Sequence, residues 1–346
     1  MNTGTGKTLV GLLMLQSSIN EGVGPAVYLC LNNQLVEQVV EVAESISGIR
    51  YVTFESGYLP IEFFNSEAIL ITTFDKLVNG KSVFGVKGIH CEEIAVGSLL
   101  VDDAHSCLRK VRQSFTISLN RNTSNKICNK LLNLFKPALS QQGPGKFKDL
   151  EDKVPLTLMS VPYWNWIEST TQVLEILSQF RDSDEIKFQW NLLKGNLENC
   201  DCFISDEKIE ITPKCIPIEY IPSFHNAKRR FFLSATLLDD SELIKEFRVS
   251  SDVVSEPLKP RISGSMGERM IIAPSLINIS LSTEKMVPFI QNLYELNCNT
   301  VILTPSFGKA KKWSEHGAEI ANNDTIVSTI EKLNSTKSNC VVLVNR

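Results

Sequence analysis

The sequence lacks the long apolar run that a membrane-spanning helix requires. Such a helix needs about 18–20 consecutive apolar residues, and no stretch of this chain approaches that length. The most apolar opening, Leu9–Leu15, is short and lacks the basic region that begins a secretory signal. These absences exclude an integral membrane protein from our expectations and favour a cytoplasmic protein with no membrane partner.

The sequence also has little net charge and no C-x-x-C cysteine pair. A formal net charge of −4 and a pI near 5.7 give no overall attraction to nucleic acid, so any such contact has to be local. Nine cysteines are scattered along the chain, which favours reduced thiols in a cytosol. Cys200, Cys202, Cys215 and His225 have a poor spacing for structural zinc, and we interpret them as ordinary side chains.

A candidate phosphate-binding loop, Thr3-Gly4-Thr5-Gly6-Lys7-Thr8, stands near the start of the chain. Glycines let the backbone turn so that its N–H groups point at phosphate oxygens. The lysine would contact the β- and γ-phosphates, and the hydroxyl that follows would bind Mg²⁺. The alternative is a glycine-rich turn before an amphipathic helix. Only Met1 and Asn2 precede the loop, which leaves no room for the strand that such a motif follows. We therefore expect either a fragment that has lost its first strand or a start that has been placed too late.

Apolar runs then alternate with segments of helical periodicity. The predicted strands are Ala26–Leu31, Tyr51–Phe54, Ala68–Thr72 and Ser98–Val101, and the predicted helices are Leu9–Ile19 and Asn33–Ile46. This alternation predicts a parallel sheet with helices on both faces. Ligands of such sheets bind at the carboxyl ends of the strands.

The alternation stops after His105 and resumes near Arg229. The intervening pattern is mostly helical, with a predicted helix at Thr170–Phe180, and we interpret it as an inserted subdomain. The later predicted strands are Arg229–Ser234, Met270–Ile272, Thr300–Thr304 and Cys340–Val344, and the later predicted helices are Ser282–Leu296 and Lys309–Ala318. The predicted fold class is therefore α/β, with two parallel-sheet units, the second incomplete, and a mostly helical insertion in the first.

A second candidate site follows the predicted strand Ser98–Val101, where the chain continues Asp102-Asp103-Ala104-His105. P-loop enzymes hold Mg²⁺ with acidic residues at the end of a hydrophobic strand. Asp102 would bind the metal, directly or through water, and Asp103 would orient and deprotonate the attacking water. The alternative is a polar turn or helix cap. The position of the pair downstream of Lys7 and Thr8 favours the functional interpretation.

Taken in order, these motifs resemble those of superfamily-2 helicases of the DEAD/DEAH-box kind. Thr3–Thr8, Asp102–His105 and Ser234–Thr236 are similar to motifs I, II and III. Motifs Ia, Ib and IV have similar counterparts in Asn32–Gln38, Thr72–Phe74 and Thr304–Ser306. The resemblance implies two RecA-like P-loop domains that bind ATP and Mg²⁺ and couple ATP hydrolysis to movement on DNA.

The resemblance also implies which residues bind nucleotide, take part in catalysis and contact nucleic acid. Those implied in nucleotide binding are Thr3, Gly4, Thr5, Gly6, Lys7, Thr8 and Asp102, of which Thr8 and Asp102 hold the metal. Those implied in catalysis and its coupling to motion are Lys7, Asp103, His105, Ser234 and Thr236. Those implied in nucleic-acid contact are Asn33, Gln34, Thr72, Thr73, Thr304 and Ser306.

The long insertion between motifs II and III is similar to the XPD and DinG branch, where a helical arch lies beside the single strand. The implied domains are a RecA-like domain 1 at 1–105, the arch-like insertion at 106–227, a return to domain 1 at 228–245 and a partial second RecA-like domain at 246–346. Only Cys30 and Cys91 lie between motifs I and II, so we expect no iron–sulfur cluster there. The insertion favours DNA over RNA as the partner, although binding of RNA stays open. The sequence does not indicate a protein partner.

Two departures from the family bear on turnover. Asp103 replaces the usual glutamate and is one methylene shorter, which sets its carboxylate back from the attacking water. Nothing after Asn345-Arg346 supplies motifs V and VI, so we expect truncation at both ends. The alternative function is a truncated or degenerate helicase-like protein that binds nucleotide or nucleic acid without turnover. A P-loop kinase is disfavoured, because it has no use for Ser234–Thr236 and a second α/β unit.

Overall fold

The computed structural model describes residues 6–54, 57–89, 92–234, 241–258, 276, 280, 285, 286, 288, 299–322, 325–335 and 340–344. The chain divides into two compact units, Met1–Gly264 and Ser265–Arg346. Within the described ranges, no helix combines the length and the apolar character that crossing a membrane requires.

Helices and strands alternate along much of both units. The strands of the first unit are β1 Ala26–Cys30, β2 Tyr51–Thr53, β3 Ile69–Thr73, β4 Ser98–Val101, β5 Ile117–Asn120, β6 Leu158–Ser160, β7 Cys200–Ser205, β8 Lys208–Pro213 and β9 Arg229–Phe232. Its helices are α1 Lys7–Asn20, α2 Asn33–Glu44, α3 Ile61–Phe64, α4 Phe74–Leu77, α5 Ala104–Ser114, α6 Asn125–Gln142, α7 Pro144–Glu151, α8 Tyr163–Ser178, α9 Trp190–Leu193, α10 Pro222–His225, α11 Ser241–Phe247 and α12 Ser251–Ser255. The second unit contains β10 Thr300–Thr304, α13 Phe307–Ser314, β11 Glu319–Ala321, α14 Ile326–Ser335 and β12 Cys340–Val344.

A five-stranded parallel sheet of order β2-β3-β1-β4-β9 organises the first unit. The central strand is β1, in which Ala26 pairs with Ile69 of β3 and with Ser98 of β4. Every residue of β1, β3 and β4 is buried. Their continuous apolar runs follow from this position, because helices cover both faces of the sheet. The carboxyl ends of these three strands consequently lie side by side.

The two faces of this sheet have separate apolar cores. Successive side chains of a strand point to opposite faces. Tyr28 of β1 therefore joins a cluster with Leu12 and Leu15 of α1. Leu29 joins the other cluster, which includes Val111 of α5. Each face thus fixes one of the helices that carry the predicted site, α1 and α5.

Most of the chain between α5 and β9 builds a subdomain around a four-stranded antiparallel sheet of order β5-β8-β7-β6, whereas Ile216, Ile221 and Phe224 pack in a core of the parallel sheet. The core of the subdomain includes Trp166 of α8, which is 1% exposed. The Trp166 Nε1–H donates to the Leu197 carbonyl oxygen at 2.8 Å, and its ring stacks on Phe135 of α6 at a centroid distance of 5.8 Å. Helices form more of the insertion than strands do, as predicted, but the sequence analysis did not predict this sheet.

The second unit contains a three-stranded parallel sheet of order β10-β12-β11. Thr300 pairs with Cys340, and Glu319 of the third strand pairs with Val341. The strands predicted at Thr300–Thr304 and Cys340–Val344 are confirmed with these bounds. The strand predicted at Met270–Ile272 and most of the helix predicted at Ser282–Leu296 lie outside the described residues.

Candidate nucleotide-binding site

The loop predicted to bind phosphate leads into α1. Its first residues, Thr3, Gly4 and Thr5, lie outside the described part of the chain. Gly6 has a φ of 74°, in the left-handed region that favours glycine, and it caps α1, whose first residue is Lys7. The N–H groups and the positive dipole end of this 14-residue helix therefore lie at the predicted phosphate position.

The acidic pair follows β4, next to the end of β1. The Asp102 N–H donates to the Leu29 carbonyl oxygen at 3.0 Å. Asp102 Oδ1 accepts the Asp103 N–H at 3.0 Å. Asp103 has φ and ψ of 49° and 60° and precedes α5, in a left-handed conformation that aspartate tolerates better than most residues. His105, the second residue of α5, is exposed.

Tyr28 connects the two motifs through the core of the sheet. Its hydroxyl donates to Asp102 Oδ2 at 3.1 Å. Burial, and secondarily the negative charge of Asp102, raises the pKa of Tyr28 well above its usual range, and the nearby Thr8 side chain slightly opposes the rise in the pKa of the phenol. The phenol therefore remains a neutral donor to Asp102, and Tyr28 lies between Thr8 and Asp102.

The predicted third motif lies beside the acidic pair. The Leu233 N–H donates to the Val101 carbonyl oxygen at 2.9 Å, and the Leu233 carbonyl oxygen accepts the Ala104 N–H at 2.9 Å. Ser234 follows directly and is half-buried. Thr236 lies outside the described residues. Backbone hydrogen bonds thus hold the segment that contains Ser234 against the segment that contains the two aspartates.

The oxygen donors of this site suit Mg²⁺ that is bound together with phosphate. Mg²⁺ prefers oxygen ligands, keeps several waters and usually takes one or two carboxylates plus phosphate oxygens. Thr8 and Asp102 would supply a hydroxyl and a carboxylate. No cluster of three or more His, Cys, Asp or Glu side chains in the described ranges is arranged to hold a metal by itself. The residues present fit a nucleotide-linked Mg²⁺ better than a metal held by protein ligands alone.

The residues of the first unit that were predicted to contact nucleic acid lie at the same sheet edge. Asn33 and Gln34 are exposed at the start of α2, directly after β1. Thr72 and Thr73 end β3, where Thr73 pairs with Cys30. Both threonines are buried, so their side chains offer little surface to a strand, whereas the start of α2 is open to solvent.

The predicted contacts of the second unit lie at the end of β10. Thr304 is buried, and its hydroxyl donates to the Ser306 carbonyl oxygen at 3.4 Å. Ser306 is exposed and caps α13, and its side-chain oxygen accepts the Lys309 N–H at 3.4 Å. This cap leaves the helix N-terminus at the carboxyl end of the strand, the position at which parallel α/β sheets bind ligands.

Sequence reasoning missed Tyr28 as a site residue. The segment Ala26–Leu31 was interpreted only as a buried strand. A tyrosine at the centre of such a strand needs a partner for its hydroxyl, and this requirement is the signal that was available. Cys107 was missed in the same way: its buried thiol contacts the Asp102 carbonyl oxygen at 3.3 Å, and burial raises its pKa.

The first unit has a parallel sheet with the candidate site at the carboxyl ends of its strands, and comparison with known proteins finds solved structures of the same fold. No family model and no curated protein matches the sequence. The solved structure of S. tokodaii Xpd4 matches 99% of this chain and 74% of its own, with a TM-score of 0.53 and 15% identity. The likeness confirms the predicted fold class and the XPD-like layout.

Two further XPD structures match over 99% of this chain. The apo structure has a TM-score of 0.48 and 16% identity, with 73% of its own chain covered. The structure described as an XPD helicase has a TM-score of 0.43 and 12% identity, with 76% covered.

Proposed function

We propose that the protein is an ATP-dependent DNA helicase or translocase. The observation that carries the proposal is the position of Tyr28, which donates to the candidate metal carboxylate Asp102 and lies near Thr8 of the candidate phosphate loop. These residues lie at the carboxyl ends of parallel strands, which is where α/β sheets bind ligands. The likeness of the fold to Xpd4 supports the same reading.

In this proposal each motif has a separate task. Lys7 and the N-terminus of α1 would bind the β- and γ-phosphates, and Thr8 and Asp102 would hold Mg²⁺, which would neutralise charge on the phosphates. Asp103 positions the attacking water. Ser234, Thr236 and His105 couple the state of the nucleotide to motion.

Movement requires contacts with the strand that change with the nucleotide state. Of the residues predicted to contact nucleic acid, the proposed contacts are Asn33, Gln34 and Ser306, because Thr72, Thr73 and Thr304 are buried. Asn33 and Gln34 are the exposed members in the first unit. DNA is preferred to RNA in the proposal because of the insertion between the second and third motifs.

One observation favours a second candidate, a nucleotide-gated binding module without turnover. Asp103 combines a short side chain with a left-handed backbone. A general base must lie within hydrogen-bond reach of the proton that it removes. If the nucleotide-bound form keeps this conformation and the carboxylate stays out of reach, ATP binds and is not hydrolysed.

The test is ATP hydrolysis by the protein with and without single-stranded DNA. We expect DNA-stimulated turnover that falls at least ~100-fold in Lys7→Ala, since removing a charge-stabilising donor costs roughly that factor. Lys126→Ala, at an exposed lysine on α6 of the insertion, is the matched control and should keep the wild-type rate. ATP binding without turnover would favour the binding module, and absence of ATP binding would overturn both candidates.

A further inference from the structure

A cavity in the first unit has none of the candidate nucleotide-site residues in its lining. It has a volume of about 350 Å³ and lies between α4 and the segment of the insertion that precedes α9. Asp75, Lys76 and Asn79 line one side, and Phe188 and Gln189 line the other. The volume falls within the ~300–1,000 Å³ range of small-molecule sites.

The two sides of this cavity are fixed to each other by backbone contacts. The Gly80 N–H donates to the Phe188 carbonyl oxygen at 2.6 Å, and Asn191 Nδ2 donates to the Gly80 carbonyl oxygen at 2.8 Å. A Cβ at position 80 would lie 2.5 Å from the Phe188 oxygen, so only glycine permits this approach. The cavity is therefore largely preformed, and binding of a ligand would cost little free energy for ordering its walls.

The chemistry of the lining suits a flat, polar-edged ring. Phe188 is 44% exposed and provides a stacking surface. Gln189 Oε1 is buried and has no hydrogen-bond partner among the described residues, so it is an acceptor in need of a donor. Lys187 lies 5.1 Å from the Phe188 ring centroid, and Lys76 lies 4.9 Å from that of Phe54. Of these four residues, Lys76 and Phe188 line the cavity, so its wall contains one cationic and one aromatic group.

The position of the cavity connects it with the predicted strand path. The first residue of α4, Phe74, directly follows Thr73, and Asp75 and Lys76 come next. A strand that passes the carboxyl end of β3 would therefore reach the opening within one turn of α4. The Asn79 side chain is not available to donate to a ligand, because its Nδ2 already donates to the Asp75 carbonyl oxygen at 2.7 Å.

We propose that this cavity receives one nucleobase of a bound single strand. The base stacks on Phe188, a base N–H donates to Gln189 Oε1, and Lys76 neutralises the neighbouring phosphate. The inference rests on the proposed function. It adds to that function a binding site for one base, located where α4 contacts the insertion.

The test compares two strands without ATP: an ordinary single-stranded oligonucleotide and one of the same length built from abasic units. We expect Phe188→Ala to weaken binding of the ordinary strand about 10-fold, the typical loss for one base stack. Binding of the abasic strand should be unchanged. Gln189→Ala should show the same selectivity with a loss of about 5-fold. Phe64→Ala is the matched control, because Phe64 is 45% exposed and lies in α3.

Each other outcome contradicts a defined part of the argument. Equal losses on both strands, or no loss beyond that of Phe64→Ala, would overturn the base site alone. If the wild-type protein binds neither strand, the proposed function fails as well. Labelled deoxyadenosine monophosphate separates the sources of the base: Phe188-dependent binding of this nucleotide as tight as that of the strand would assign the cavity to a free nucleotide and overturn the strand assignment.

Discussion

The two sheets of the first unit place their polar side chains differently. In the parallel sheet, β1, β3 and β4 are buried at every position. Groups that can meet a ligand are therefore restricted to the strand ends. In the insertion, β5 and β7 alternate between buried and more exposed residues, so polar groups lie along whole strands. The first arrangement concentrates chemistry at one edge, and the second provides a surface.

The two regions also differ in how their cores relate to the candidate site. The apolar cluster of the insertion contains no residue of β1, β3 or β4. The cluster around Tyr28 instead reaches the site directly, because the Tyr28 hydroxyl bonds to Asp102. We therefore expect core damage in the insertion to remain local, and core damage near Tyr28 to affect nucleotide binding.

The largest expected effect is that of Trp166→Ala. The change removes a buried ring and its hydrogen bond to the Leu197 carbonyl oxygen, and we expect about 4 kcal/mol of lost stability. Hydrogen exchange should accelerate in β7 and β8 and stay slow in β1 and β4. Trp164 is 65% exposed on the same helix, so Trp164→Ala should cost less than about 0.5 kcal/mol. Equal acceleration in both sheets would show that the cores are not separate.

The difference between continuously buried strands and strands with alternating burial also explains which strands could be predicted from the sequence. The continuous run of β1 and the run that ends at Asp102 identify strands buried on both faces, and those strands were predicted within a residue or two. The strands of the insertion follow a weaker pattern with a period of two. Cys200, Cys202 and Ile204 alternate with less buried residues, but polar residues in between hid the strand in a region that was read as helical.

Individual side chains were harder to predict than elements. Trp164 and Trp166 belong to one aromatic cluster of the sequence, yet Trp166 is core and Trp164 is exposed. Both lie on α8, which begins at Tyr163 rather than at the predicted Thr170. Neighbouring positions of a helix face different directions, so the split follows once the helix is extended over the cluster. Arg229, in the basic run Lys228-Arg229-Arg230, likewise has a structural partner, since it pairs with Glu21 at 2.7 Å.

A smaller effect is expected from Tyr28→Phe in the parallel sheet. The change keeps the ring and removes the donor to Asp102, which should cost about 1.5 kcal/mol of stability. Because Asp102 loses the donor that orients its carboxylate, we also expect weaker ATP binding in the presence of Mg²⁺. Unfolding and nucleotide titration measure the two effects.

Tyr51→Phe is the control for this change. Tyr51 is only partly buried, and its hydroxyl donates to Glu44 Oε1 at 2.7 Å, away from the candidate site. The Tyr51→Phe substitution should therefore leave ATP affinity unchanged. If Tyr28→Phe loses stability and keeps full ATP affinity, the tyrosine is a core residue without influence on the site, and the contrast between the two cores disappears.

The smallest effect concerns the buried thiols of the insertion. Burial, reinforced by the charge of Asp201, raises the pKa of Cys200 to about 12, whereas an unfolded cysteine titrates near ~8.5. The folded state thus retains a proton that the unfolded state releases. The resulting stability is fully present below ~8.5 and is lost as the pH rises from there towards about 12. Between pH 8 and pH 9, Cys200→Ala should remove about 0.7 kcal/mol of the decline in unfolding free energy. Cys215→Ala should leave the decline unchanged, because Cys215 is exposed. Equal slopes in wild type and Cys200→Ala would mean that the thiol is reached by water in the folded insertion, which would then be less tightly packed than the parallel sheet beside it.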